Sequence, residues 1–138
     1  MPGMLVFMRF SISGWLAESS AIITRVNDRK VSGSGRVFIG TDTGFNHLIR
    51  PALYGSHHRI LNLAAPDGEP ETVDVCGNLC EETDYLARDR SLPRAEEGDY
   101  LAIMDVGAYG LAMASEYNLR LIPPEVLDDG EQRRVIRR

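Results

Sequence analysis

Apolar residues in this chain occur in short β-branched runs, and none continues at a helical period. Ala21-Ile-Ile-Thr-Arg-Val26, Arg36-Val-Phe-Ile-Gly40, His58 to Leu63, Thr72-Val-Asp-Val-Cys76 and Tyr100-Leu-Ala-Ile-Met104 are each closed by glycine, proline or charged residues. A run of five or six residues is long enough for a strand and too short for a stable amphipathic helix. Such a chain buries its apolar surface by pairing strands. The expectation is six or seven short strands in a mainly β, Greek-key-like barrel or sandwich with short helical turns. Ala21–Val26 and Arg36–Gly40 read as a hairpin, with Asn27-Asp-Arg-Lys30 and Ser32-Gly-Ser-Gly35 as its loop. Thr41 to Tyr54 reads as a helical turn that Pro51 keeps short. Gly77 to Arg90 reads as an acidic loop. Arg120 to Leu127, with Pro123-Pro124, reads as an edge strand, and the charged tail from Gly130 extends a last one.

At 138 residues, 43% apolar and 25% charged, there is material for one core. The net charge of −5 argues against a nucleic-acid binder. Lys30 is the only lysine; the other fourteen of the 15 basic residues are arginines. One lysine means one candidate position for covalent attachment of a carbonyl cofactor. Cys76 and Cys80 have no neighbouring Cys or His set, so neither zinc nor a disulfide framework is expected. Two free thiols suit a reducing compartment. The run Met4-Leu-Val-Phe-Met8 is too short for a signal core or a membrane span, so the cytoplasm is the expected location.

A few residues could carry chemistry. Arg50 and Tyr54, four apart on a helical turn, share a face, and a guanidinium fork beside a phenol suits a carboxylate or phosphate. The alternative is a surface arginine packed on a ring. Cys80-Glu-Glu-Thr-Asp84 sets a thiol beside carboxylates, whose repulsion suits a proton donor better than a nucleophile; a solvated acidic loop is the plainer reading. His57 and His58 point to opposite faces of an extended segment and cannot readily share a metal. Tyr109, inside Gly107-Ala-Tyr-Gly110, either projects toward a ligand or packs as an ordinary core ring.

Eight stretches occur together in order: Trp15-Leu-Ala-Glu-Ser19, Thr43-Gly-Phe-Asn-His-Leu-Ile-Arg-Pro-Ala-Leu-Tyr54, Gly77-Asn-Leu-Cys-Glu-Glu-Thr-Asp84, Leu86-Ala-Arg-Asp-Arg90, Glu97-Gly-Asp-Tyr-Leu101, Gly107-Ala-Tyr-Gly110, Ser115-Glu-Tyr-Asn118 and Pro124-Glu-Val-Leu127. In this order and spacing the chain resembles the C-terminal β domain of fold-type III, alanine-racemase-like pyridoxal-phosphate decarboxylases, most of all the diaminopimelate decarboxylases. The resemblance spans roughly residues 15 to 128, leaving 1–14 as a remnant in place of the family's barrel end and 15–138 as the β domain.

The resemblance implies a role for each candidate. Arg50 and Tyr54 would bind a substrate carboxylate, Cys80 would donate a proton across a dimer interface, Glu81 would meet the distal amino group, and Tyr109 would lie against cofactor and substrate. It also implies pyridoxal phosphate, head-to-tail dimers and a (β/α)₈ barrel that carries the cofactor lysine. Lys30 matches no catalytic position in this alignment. Phe10-Ser-Ile-Ser-Gly14 stands where the family has a Glu-Pro-Gly-Arg phosphate loop. The expectation is a chain that binds no cofactor alone, is inactive alone, and works with a separate barrel protein or as a dimer on a small amino acid. The other reading is a non-catalytic binding or assembly module derived from such an enzyme. Glu81 favours diaminopimelate over ornithine, arginine or carboxynorspermidine. No nucleic acid, membrane or metal is expected.

Overall fold

The computed structural model describes the backbone of residues 5–8 and 16–138, with side chains from residue 18 onward. Phe10–Gly14, read above against the phosphate loop, and Trp15 lie outside the described residues. The elements in order are β1 (Leu5–Met8), a 3-10 turn (Leu16–Ser19), β2 (Ser20–Val31), β3 (Val37–Thr41), helix α1 (Arg50–Tyr54), β4 (Ile60–Asn62), β5 (Pro70–Cys76), β6 (Tyr85–Pro93), β7 (Tyr100–Met104), β8 (Glu125–Asp128) and β9 (Arg133–Arg137). A second 3-10 turn spans Tyr117–Leu119.

The nine strands of the described residues form one sheet that curls until it is nearly closed. Its main path runs β6-β5-β3-β2-β1-β8-β9, and β7 bridges β2 to β4. Pairing is antiparallel except between β3 and β5 and between β1 and β8.

The twelve residues of β2 belong to both halves of this sheet. Ala21–Arg25 pair with β7, while Val26–Val31 pair with β3. A register shift between Val26 and Asp28 makes the turn from one half to the other. The first half of β2 is largely buried and the second largely exposed. Lys30 is therefore an exposed strand residue opposite Phe38, not part of a loop, and the connection to β3 is only 32–36. A continuous polar run is compatible with a strand here because one edge is paired and one face is wet.

Inside the curl lie Ile22, Val26, Ile39, Leu48, Val73, Val75, Leu86, Leu92, Leu101 and Ile103. Three further expectations change. Residues 85–93, read as loop, are the nine-residue strand β6. β8 is an interior strand between β1 and β9, because the tail supplies the edge instead. Pro51 stands in the first turn of α1, where its missing N–H costs nothing, and Gly55 ends the helix in the left-handed region at φ 64°.

Candidate functional site

The connection from β3 to α1 is a loop held from below. Thr43, Asn46, His47 and Leu48 are all buried. Neutral His47 accepts the Thr43 hydroxyl at Nδ1 (3.0 Å) and donates from Nε2 to the Leu121 carbonyl (3.1 Å), tying this loop to 115–122. Burial lowers its pKa, which favours the neutral ring these contacts require. The buried carboxylate of Asp84 accepts the backbone N–H of Phe45 and of Leu79, each at 2.7 Å. It thereby joins the 43–49 loop to the 77–84 loop. A β-carbon on Gly77 would lie 2.1 Å from Asp84 Oδ2, so only glycine fits there.

On this base stands α1. Its short length places Arg50 and Tyr54 on one face, and the guanidinium lies 5.5 Å from the centre of the Tyr54 ring. The centre of the Tyr109 ring lies 4.9 Å from the same carbon. Arg50 makes no ion pair among the described residues. It is a cation near two aromatic rings, and no side-chain acceptor among the described residues takes its donors, which suits an anion.

Tyr109 is half exposed, on a loop that leaves β7 through Asp105 at φ 63° and closes on Gly110, whose N–H donates to Val106 O at 2.8 Å. Arg50, Ser56, His57, His58, Asp105 and Tyr109 line one cleft of about 280 Å³. His58 is buried and donates from Nδ1 to Met104 O, while His57 is exposed, and both line this cleft.

Cys80 and Glu81 lie elsewhere. Both are exposed at the tip of the 77–84 loop, in a shallow cleft with Asn78, Asn118, Leu119 and Arg120. The five predicted residues thus form two clusters: Arg50, Tyr54 and Tyr109 in one, Cys80 and Glu81 in the other. Phe45 links their supports, since it follows Gly44 in the loop below α1 and packs on Tyr117 with ring centres 5.2 Å apart. Tyr117 and Arg120 were not singled out from sequence, although Ser115–Asn118 was among the matching stretches. Tyr117 donates to Glu81 Oε1 at 2.7 Å, and Arg120 donates to the Asn78 carbonyl at 3.1 Å. Burial, followed by the Asp74 and Asp84 carboxylates, pushes the Cys76 thiol up to about 11. Cys76 closes β5 half-buried and lines neither cleft. Among the described residues no group of three or more His, Cys, Asp or Glu is placed to hold a metal ion, and no helix is long and apolar enough to cross a membrane.

The C-terminal sheet domain of pyridoxal-dependent decarboxylases matches residues 16–107. The diaminopimelate decarboxylase of Methanothermobacter thermautotrophicus is 52% identical over 113 residues, covering 81% of this chain and 26% of that protein. The Escherichia coli enzyme of the same name is 47% identical, covering 89% and 32% respectively. Among solved structures, a diaminopimelate decarboxylase from Helicobacter pylori complexed with L-lysine superposes with a TM-score of 0.81 at 39% identity, over 89% of this chain and 30% of that one. The chain spans about a quarter to a third of the length of these relatives. With fold, loops and sequence in agreement, the chain belongs to the C-terminal sheet-domain family of the pyridoxal-dependent decarboxylases.

Proposed function

We propose that this domain supplies one wall of a decarboxylase site for diaminopimelate, within residues 15–138. The observation that carries the reading is Arg50: a cation without a carboxylate partner among the described residues, close to the rings of Tyr54 and Tyr109 and lining a cleft with Tyr109. A substrate carboxylate entering there receives the fork of the guanidinium and the Tyr54 hydroxyl. Glu81 takes the distal ammonium, which favours diaminopimelate over ornithine, arginine or carboxynorspermidine. The separation of the two clusters agrees with a site shared between subunits of a dimer, each contributing a different edge.

The residues here fit a contact face for pyridoxal phosphate and not its anchor. Tyr109 offers an exposed ring backed by a cation. Lys30, the single lysine, is exposed on β2 and lines neither cleft. An anchoring lysine belongs to a barrel, joined to this domain or on another chain. When bound, pyridoxal phosphate would supply a sink for the electron pair left on the substrate carbon by loss of CO₂. Cys80 then delivers its thiol proton to that carbon: the S–H bond breaks, a C–H bond forms, and water returns a proton to the thiolate.

The test is direct. The pure chain with pyridoxal phosphate and meso-diaminopimelate releases no CO₂, and a cofactor-loaded barrel from a relative restores release. Cys80→Ala then lowers the restored kcat by about 10²–10⁴-fold, the span of a positioned acid. Turnover by the chain alone, without any added protein, overturns the reading. A second reading, an assembly module without chemistry, is favoured by Leu119 and Leu121, which stand 93% and 81% exposed. It predicts association with the barrel and no turnover. The cytoplasm is the compartment proposed for either, given the two free thiols.

A further inference from the structure

The shallow cleft around Cys80 is built by two segments that lie well apart in sequence. The 77–84 loop brings Asn78, Cys80 and Glu81; the 3-10 turn brings Asn118, Leu119 and Arg120. Two hydrogen bonds cross between them, Tyr117 Oη to Glu81 Oε1 at 2.7 Å and Arg120 Nη2 to Asn78 O at 3.1 Å. The loop is fixed from beneath by Asp84. The turn is fixed by the packing of Tyr117 on Phe45, whose own N–H is held by the same Asp84. Asn118 and Leu119 both stand at φ 57°. Two successive left-handed residues, one of them a leucine, carry a conformational cost, and such strain concentrates where a posture has a use. Here the posture turns the Tyr117 hydroxyl onto Glu81 while its ring stays on Phe45.

An exposed glutamate ordinarily samples many rotamers, and each must be lost when it binds a ligand. A donor from a ring packed in place removes part of that cost beforehand. It also occupies one oxygen of the carboxylate and leaves the other without that donor, on a side chain that lines the cleft with Cys80. We propose that Tyr117 is a positioning residue that sets Glu81 to receive the distal ammonium of the substrate. This rests on the reading of Glu81 given above and extends it to a residue that touches no substrate itself. The Glu81 hydrogen bond, with the negative charge behind it, raises the pKa of the Tyr117 phenol, so the contact has a signature in the free chain.

Two experiments decide it. In the chain alone, carbon-13 NMR of labelled tyrosine follows the Tyr117 phenol, which ionises above the usual value of about 10. Glu81→Gln brings it back down; no change on that substitution overturns the contact. In the holoenzyme formed with a cofactor-bearing barrel, Tyr117→Phe keeps the ring on Phe45 and removes only the donor. The KM for meso-diaminopimelate then rises about tenfold, the order expected for one hydrogen bond to a charged group, with kcat within about threefold. In a Glu81→Gln background the same change adds nothing, since Tyr117 acts through Glu81. Wild-type turnover with an unchanged KM for Tyr117→Phe, or an equal rise in the Glu81→Gln background, overturns this inference alone. No turnover by the wild-type pair overturns it together with the decarboxylase reading.

Discussion

Single residues in this domain act mainly as braces, and Asp74 shows how a charge can be buried to that end. Its side chain is 3% exposed in the middle of β5. Burial alone would push the carboxyl up. The hydrogen bond from Arg36, the Asp89 backbone N–H at 2.8 Å and the charge of Arg36 outweigh it and hold the group below the ordinary carboxylate value. A depressed folded pKa stabilises the fold above the unfolded value of about 4 and ceases to do so as pH falls through the folded one. Asp74→Asn is therefore expected to cost about 1–3 kcal/mol at pH 7, with the gap from wild type narrowing toward pH 3. Urea unfolding at both pH values measures it; an equal gap at both would show that the charge on Asp74 is irrelevant. The alternation in Thr72–Cys76 was legible, yet it places Asp74 on the face away from Val73 and Val75. Its burial under Arg36 was not legible, because the partner lies 38 positions away.

At the scale of elements, the strands made of β-branched runs were legible and those made of charges were not. β7 and the first half of β2 followed from Tyr100–Met104 and Ala21–Val26. β6 escaped because Arg88, Asp89 and Arg90 interrupt it. Two of those residues have distant structural partners: Asp89 pairs with Arg36, and Arg90 donates to the His58 carbonyl at 2.7 Å. Local propensity holds no trace of such pairings. Helix α1 was legible as a turn, and its end depends on Gly55 at φ 64°. No atom lies within 4 Å of where a β-carbon would stand, so Gly55→Ala isolates the backbone strain. The expected loss is about 1 kcal/mol, read by thermal unfolding. A stability equal to wild type would mean that the helix end readjusts freely. Of the site residues, Arg50 with Tyr54 was legible from helical spacing. The arrival of Tyr109 over the same guanidinium, and of Tyr117 at Glu81, depends on how β7 and the 115–122 segment fold back.

The whole molecule presents its apolar surplus unevenly. Leu119 and Leu121 project from the segment that also carries Tyr117 and Arg120, next to the cleft of Cys80. Two leucines exposed this far beside polar neighbours are what the proposed association with another protein surface would cover. Paired substitution, Leu119→Asp with Leu121→Asp, is expected to shift the chain from a concentration-dependent dimer to a monomer in analytical ultracentrifugation. Dimer retained at the same concentration would place the contact elsewhere. The edge strand β9 is different in kind: it carries Arg133, Arg134 and Arg137, charges that discourage a further strand from adding there.

The unbroken course of β2 through both halves of the sheet bears on how such a site can change. Tyr109 follows β7, which is paired to the first half of β2; Cys80 follows β5, two strands from its second half. There is no linker between the two clusters and hence no hinge about which one could swing toward the other. In the shared site proposed above, the spacing that a substrate meets would then follow from how two such rigid frames dock, and adjusting it falls to the loops at 77–84 and 105–122, where residues can be exchanged or inserted while the frame that carries them stays the same.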